Sequence, residues 1–181
     1  SNLMKKSLLL LGGALVLFSN SAFGWGKMGH DAIAYIAECN LTPKAKKTIE
    51  KILGHSIVYY ATWMDEWRAE PGYEHTSAWH TASVDKNLVY APRPKGDVIF
   101  ALEDAIAKLQ DYKQQDDSTV VMSLRCIIHF VGDMHCPVHV KYADQKSYNV
   151  YLNGDKCSYH NVWDDQIISR SHRWGYLEYA H

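Results

Sequence analysis

Leu124-Arg-Cys-Ile-Ile-His129-Phe-Val-Gly-Asp133-Met-His-Cys-Pro-Val-His139 is the stretch on which the reading of this chain turns. His129 and Asp133 are four residues apart, so on a helix they share one face. Leu124, Ile127, Ile128 and Val131 take the opposite face. The segment therefore reads as a helix that is apolar around most of its circumference yet points an imidazole and a carboxylate the same way. A buried carboxylate is costly unless a cation compensates it. A hydrogen-bonded His–Asp pair inside a core satisfies that requirement, and so does a metal ion. His139, just past the helix-ending Pro137, tilts the balance toward metal.

The same pairing recurs outward from this helix. His160-Asn-Val-Trp-Asp164 places another imidazole and carboxylate one turn apart. Trp63-Met-Asp65-Glu-Trp-Arg68 sets an acid and an arginine three apart on one face. Trp79-His80 follows, and Trp25-Gly-Lys-Met-Gly-His30 lies upstream. Mixed nitrogen and carboxylate donors suit zinc better than magnesium or calcium, which prefer oxygen cages.

The rest of the chain reads as one helical domain. Helices are expected at Asp31–Cys39, Pro43–Leu53 (capped by Thr42) and Ile57–Arg68. Prolines and glycines make residues 71–96 an irregular connection. Asp97 caps an amphipathic helix with Val98, Leu102, Ala105, Leu109 and Tyr112 on one face, and another helix runs from Ser118 to Met134. Tyr148–Leu152 alternates like a strand before the Asn153-Gly154 turn, which predicts a small hairpin. Residues 161–179 return to helix. The fold class is all-α with one small β-hairpin.

Residues 1–24 read as a cleaved secretory signal. Lys5 and Lys6 form the basic region, Ser7–Phe18 is an apolar stretch too short to span a bilayer, and Ala22-Phe23-Gly24 supplies the small residues of a cleavage site. The processed chain then begins at Trp25, in a secreted or periplasmic setting. Loss of the two lysines takes the formal charge from −1 to −3. No basic stripe is visible, which argues against a sequence-reading DNA-binding protein. Export permits disulfides. Cys39 and Cys126 read as small core residues, and Cys136 with Cys157 is the first of the possible pairings to test.

Taken together, Trp25-Gly-x-x-Gly-His30, Asp65-x-x-Arg68, Trp79-His80, His129-Phe-x-Gly-Asp133-x-x-x-Pro-x-His139 and His160-x-x-Trp-Asp164 resemble the motifs of the zinc-dependent single-strand-specific nucleases. That family shares its multi-helix fold with bacterial zinc phospholipase C. The resemblance runs from Trp25 to about Asp164 and implies one zinc nuclease domain over residues 25–181. It also implies three zinc ions. Asp65, His80, His129 and Asp133 match the ligands of one; His139, His160 and Asp164 match those of a second. The amine and carbonyl of Trp25, with His30 and a shared Asp133, match those of the third. Arg68 matches the phosphate-holding arginine, so Arg68, Asp65 and Asp133 are the expected catalytic residues.

The expected activity is hydrolysis of single-stranded DNA and RNA to 5′-phosphate products, with 3′-nucleotidase activity. The expected protein is a monomer without stable membrane association. Two departures accompany the resemblance. The family's glycine-rich stretch before the hairpin is replaced by Asp144-Gln-Lys-Ser-Tyr-Asn149, of which Asn149 alone matches the substrate contact. The chain stops at His181, where the family continues through further helices, so it reads as a C-terminally incomplete bacterial member. A phospholipase C-like phosphodiesterase and an inactive zinc-binding fragment are the rival readings.

Overall fold

A computed structural model describes residues 25–181; the signal-peptide reading of residues 1–24 lies outside the described residues. The domain is built around helix α5 (Asp117–Met134), which packs against α4 (Val98–Gln110) and α1 (Lys27–Asn40). Asp116 starts α5 by accepting the Thr119 N–H. Asp97, wholly buried, starts α4 by accepting the N–H groups of Ile99 and Phe100. Helix α2 (Pro43–Leu53) begins as its sequence predicts, with Thr42 Oγ1 accepting from Ala45.

Two apolar clusters flank α5. Met64, Val98, Ala101, Ala105, Cys126 and Phe130 form one; Ala34, Leu53, Ile57, Tyr60 and Ala61 form the other, with Leu124 and Ile128 packed against it. Burial on both flanks supplies the hydrophobic stabilisation that fixes the helix in place. The His129–Asp133 face is left to meet α1 and α3 (Trp63–Trp67).

Several expectations are corrected. Helix α1 begins at Lys27 rather than Asp31, which places His30 on it. The single helix expected over 57–68 is instead a 3₁₀ turn (Ile57–Tyr60) and α3, broken at Ala61-Thr62. Ser56 Oγ caps the first piece, and Thr62 lies outside the helical region at φ −106°, ψ 4°. The irregular connection contains a 3₁₀ segment at Glu74–His80 and the two-residue strand β1 (Ala82–Ser83). Strand β1 pairs in parallel with β2 (Val140–Lys141), a contact too short and too distant in sequence for pattern reading to reveal.

The hairpin is present as β3 (Asn149–Leu152) and β4 (Asp155–Ser158). The helix expected over 161–179 is divided into α6 (Tyr159–Asn161), a π-helical turn (Val162–Gln166), α7 (Ile167–Ser171) and α8 (Tyr176–Ala180). Extended backbone at His172 ends α7.

The cysteine expectations also change. All four cysteines are free, so there is no Cys136–Cys157 disulfide. Cys136 instead turns its thiol toward Asp164, while Cys157 lies on the hairpin. Cys126 is buried as expected, but Cys39 is exposed near the end of α1.

Candidate metal centre

The irregularities in the helices are what aim the imidazoles. In a continuous helix the Ala61 carbonyl would accept the Asp65 N–H. Here Asp65 bonds to Thr62 instead, and the Ala61 oxygen accepts His129 Nδ1 at 2.7 Å. That fixes Nδ1 as the donor and directs Nε2 inward. The His80 carbonyl does the same for His139, accepting its Nδ1–H at 2.6 Å. The β1–β2 ladder begins within two residues of both histidines and holds their segments side by side. Arg93 Nη2 donates to the carbonyls of Ala78 and Thr81, which bracket His80.

Asp133 stands at the middle with no exposed surface. Its Oδ2 lies 3.0 Å from His80 Nδ1 and 3.3 Å from His129 Nε2. Its Oδ1 lies 3.3 Å from His30 Nε2 and 3.4 Å from His139 Nδ1. Asp65 approaches from α3, with His80 Nδ1 at 3.5 Å and His129 Nε2 at 3.7 Å. The His30 ring stacks on His129 at 4.1 Å. Farther along, Asp164 sits in the π-helical turn, 3.4 Å from His139 Nε2 and 2.7 Å from His160 Nε2. Such turns recur at functional sites because they re-aim one side chain of a helix.

The sequence-predicted residues therefore converge. His30, Asp65, His80, His129, Asp133, His139 and Asp164 are all buried, with His160 at the rim. Trp25 is held nearby through its neighbour: the Gly26 N–H donates to the Asp164 carbonyl, and the Trp25 side chain packs over Gly29. Arg68 lies beside Asp65, its Nη1 3.5 Å from Oδ1. Asn149 is exposed at the start of β3, opposite Ser158. Its neighbour Tyr148 lines a cleft of about 230 Å³ with Lys141, Tyr159 and His160.

Many of the converging atoms have no hydrogen-bond partner: His30 Nε2, Asp65 Oδ1, His80 Nε2, Asp133 Oδ1 and His139 Nε2. A fold does not ordinarily bury so many polar atoms unpaired. Among the described residues, three groups bring ligand atoms close enough to hold an ion: His30 with Asp65 and His129, His80 with His129 and Asp133, and Cys136 with His139 and Asp164. Cys136 is absent from the predicted ligand set, because the family motifs leave its position unassigned.

The charges are strongly coupled. Burial pushes His30 and His80 down, and His129 adds to both effects. Burial works against the charged form of His129 too, but Asp133 and Asp65 outweigh it and push its pKa up to about 9. Burial would raise Asp133, yet the surrounding histidines, His129 first, hold it well below the usual carboxylate range. Asp164 is likewise held low, against burial, by His139 and His160. In the metal-free cluster the histidines thus favour the ionised forms of Asp133 and Asp164, and the carboxylates favour the charged form of His129.

Two glycines make the approach possible, a role that their motif positions left unassigned. A Cβ on Gly132 would stand 2.8 Å from His30 Nδ1, and one on Gly29 would stand 2.9 Å from Trp25 Cβ.

Residues 25–180 match the S1/P1 Nuclease family. The chain is 24% identical to nuclease S1 of Aspergillus oryzae over 176 residues, covering 88% of this chain and 60% of that protein. It is 28% identical over 163 residues to endonuclease 2 of Arabidopsis thaliana, covering 80% of this chain and 56% of that one. It is also 28% identical over 157 residues to nuclease P1 of Penicillium citrinum, covering 77% and 57%. The chain thus spans somewhat under two thirds of the length of these curated relatives.

Proposed function

The chain belongs to the S1/P1 nuclease family, and from that premise we propose that it is a zinc-dependent phosphodiesterase of single-stranded nucleic acid. It releases 5′-phosphate ends, removes 3′-phosphates from nucleotides, and works outside the cytoplasm after cleavage before Trp25. One observation carries the reading: buried nitrogen and carboxylate atoms converge around Asp133, and several of them have no hydrogen-bond partner. Orphaned polar atoms in a protein interior are costly, and a cation among them removes the cost.

The donors fit zinc, which takes imidazole and carboxylate together. Asp65, His80, His129 and Asp133 would hold one ion, and His139, His160 and Asp164 a second. Trp25 and His30, sharing Asp133, would hold a third. Zinc bound there supplies positive charge beside the phosphodiester and brings the pKa of water toward 7.

The chain's own residues do the positioning. Ala61 and His80 carbonyls lock the rings of His129 and His139 so that their Nε2 atoms face the cluster. Asp133 presents its two oxygens to different histidines, which lets one carboxylate serve two ligand groups. Arg68 is oriented by Asp65 and offers a fork of N–H donors to the non-bridging phosphate oxygens. Its charge acts most on the transition state, where those oxygens carry the most negative charge.

Preference for single strands follows from the cleft beside His160. Tyr148 and Tyr159 stack there at 4.6 Å, and Lys141 lies on the same wall. An aromatic face and a cation suit a nucleotide whose base is free to leave its stack. Zinc stoichiometry, measured beside hydrolysis of single-stranded DNA, duplex DNA and phospholipid head-group esters, tests this proposal. Three zincs with turnover of single-stranded DNA support it. Preferred hydrolysis of the lipid ester favours the phospholipase reading, and zinc binding without turnover favours an inactive fragment.

A further inference from the structure

The Asp164 end of the cluster contains a donor that neither the motifs nor the family resemblance assigns. Cys136 carries the chain from α5 into the Pro137–His139 turn, and its side chain is 1% exposed. Its thiol lies 2.9 Å from Asp164 Oδ1. Ligand atoms of Cys136, His139 and Asp164 all fall within 4.8 Å of one another. His139 Nε2 is buried here without a hydrogen-bond partner, since its other nitrogen is committed to the His80 carbonyl. His160 Nε2 reaches the second oxygen of Asp164.

We propose that Cys136 is a fourth protein ligand at this end, so that one metal ion is held by Cys136 Sγ, His139 Nε2, His160 Nε2 and Asp164. The inference rests on the zinc reading above and deepens it.

Cys126 provides the internal contrast. It is also buried, but among Ala105, Phe130 and other apolar side chains, where a thiol behaves as a small hydrophobe. Cys136 faces the Asp164 carboxylate and the His139 imidazole instead. An S–H is a weak hydrogen-bond donor and contributes little toward burying Asp164. As a ligand it gives its proton to solvent and binds through sulfur, offsetting the cation's charge at short range.

With Cys136 added, this end offers zinc four protein donors. Sulfur also biases this end toward soft ions such as cadmium and away from magnesium and calcium.

Metal-depleted protein titrated with Co²⁺ tests this, with bound cobalt counted by native mass spectrometry. The expected result is a near-ultraviolet thiolate-to-cobalt charge-transfer band, lost in Cys136→Ser and kept in Cys157→Ser. The visible cobalt bands persist in both variants. Serine keeps a donor to Asp164. Should that variant still fail to fold, X-ray absorption of the wild-type zinc protein decides by the presence of sulfur at about 2.3 Å. Bound metal with no charge-transfer band and no sulfur scatterer overturns this proposal alone. No bound metal at all overturns it together with the zinc reading.

Discussion

The Ala61 carbonyl accepts a hydrogen bond from His129 Nδ1 at 2.7 Å, joining positions 68 residues apart in the chain. The bond persists whether His129 is neutral or charged, because the proton that comes and goes is the one on Nε2. That nitrogen is also the one facing Asp65 and Asp133.

A metal ion held by His129 would therefore compete with that proton. Its pKa is pushed from 6.5 to about 9 in the metal-free protein, so zinc affinity should rise as pH climbs through that interval. The stability of the metal-free fold should move the other way. The contribution of charged His129 is fully present below about 6.5 and is lost as pH rises through about 9. Competition with a chromophoric chelator, and thermal unfolding of metal-free protein across the same range, measure the two slopes. A zinc affinity independent of pH would remove His129 from the ligand set.

Asp133→Asn should cost more than Asp65→Asn. Each oxygen of Asp133 has its own histidine neighbours, so the substitution weakens two ligand groups at once. The loss of metal affinity should exceed the roughly 10–100-fold typical for removing a neighbour that merely orients a ligand. Zinc content and turnover of both variants, compared directly, check the order.

Arg68→Ala should lower kcat by about 10²–10³-fold with zinc content unchanged, the signature of a group acting on transition-state charge. Loss of zinc in that variant would instead mean that the 3.5 Å contact to Asp65 serves to hold the ligand.

Gly132→Ala should be disproportionately harmful for a single methyl group. The added carbon would come 2.8 Å from His30 Nδ1 and 3.2 Å from its Cε1, and must displace a fully enclosed ring. Overpacking of this kind costs about 1–3 kcal/mol. Denaturant unfolding and zinc counting should show both lower stability and a missing ion.

Protein beginning at Trp25 should bind one more zinc than protein carrying a single extra residue before it. An α-amine with a pKa near 8 is a competent ligand once deprotonated, whereas the same nitrogen in a peptide bond has its lone pair delocalised. Equal zinc content and equal DNA hydrolysis for the two would exclude Trp25 Nα as a ligand.

Much of this site was legible because its residues carry helical spacing: His129 with Asp133, His160 with Asp164, Asp65 with Arg68. The helices α2, α4 and α5 were legible for a similar reason, since caps and apolar periodicity are local signals. The breaks were not. Tertiary bonds accompany them: Ala61 bonds to His129, and Asp164 to Gly26, and no window of sequence contains both partners. Cys136 was not legible because its contact with Asp164 joins the turn after α5 to a helix 28 residues further on. Gly132 stood inside a motif, but its purpose depends on a ring from another helix.

The backbone bond from Gly26 to the Asp164 carbonyl also sets a schedule for biogenesis. Donors at positions 30, 65, 80, 129, 133, 139 and 164 are drawn into one cluster from nearly the whole described chain. A nascent polypeptide emerging from the ribosome has the first of these long before the last. Long-range closures of this kind form late, because their loop entropy is paid before the contacts repay it. Until residue 164 is available, the early histidines and aspartates are a loose, low-affinity set. On the zinc reading, metal acquisition is thus a terminal step, completed only once residue 164 has joined the earlier donors.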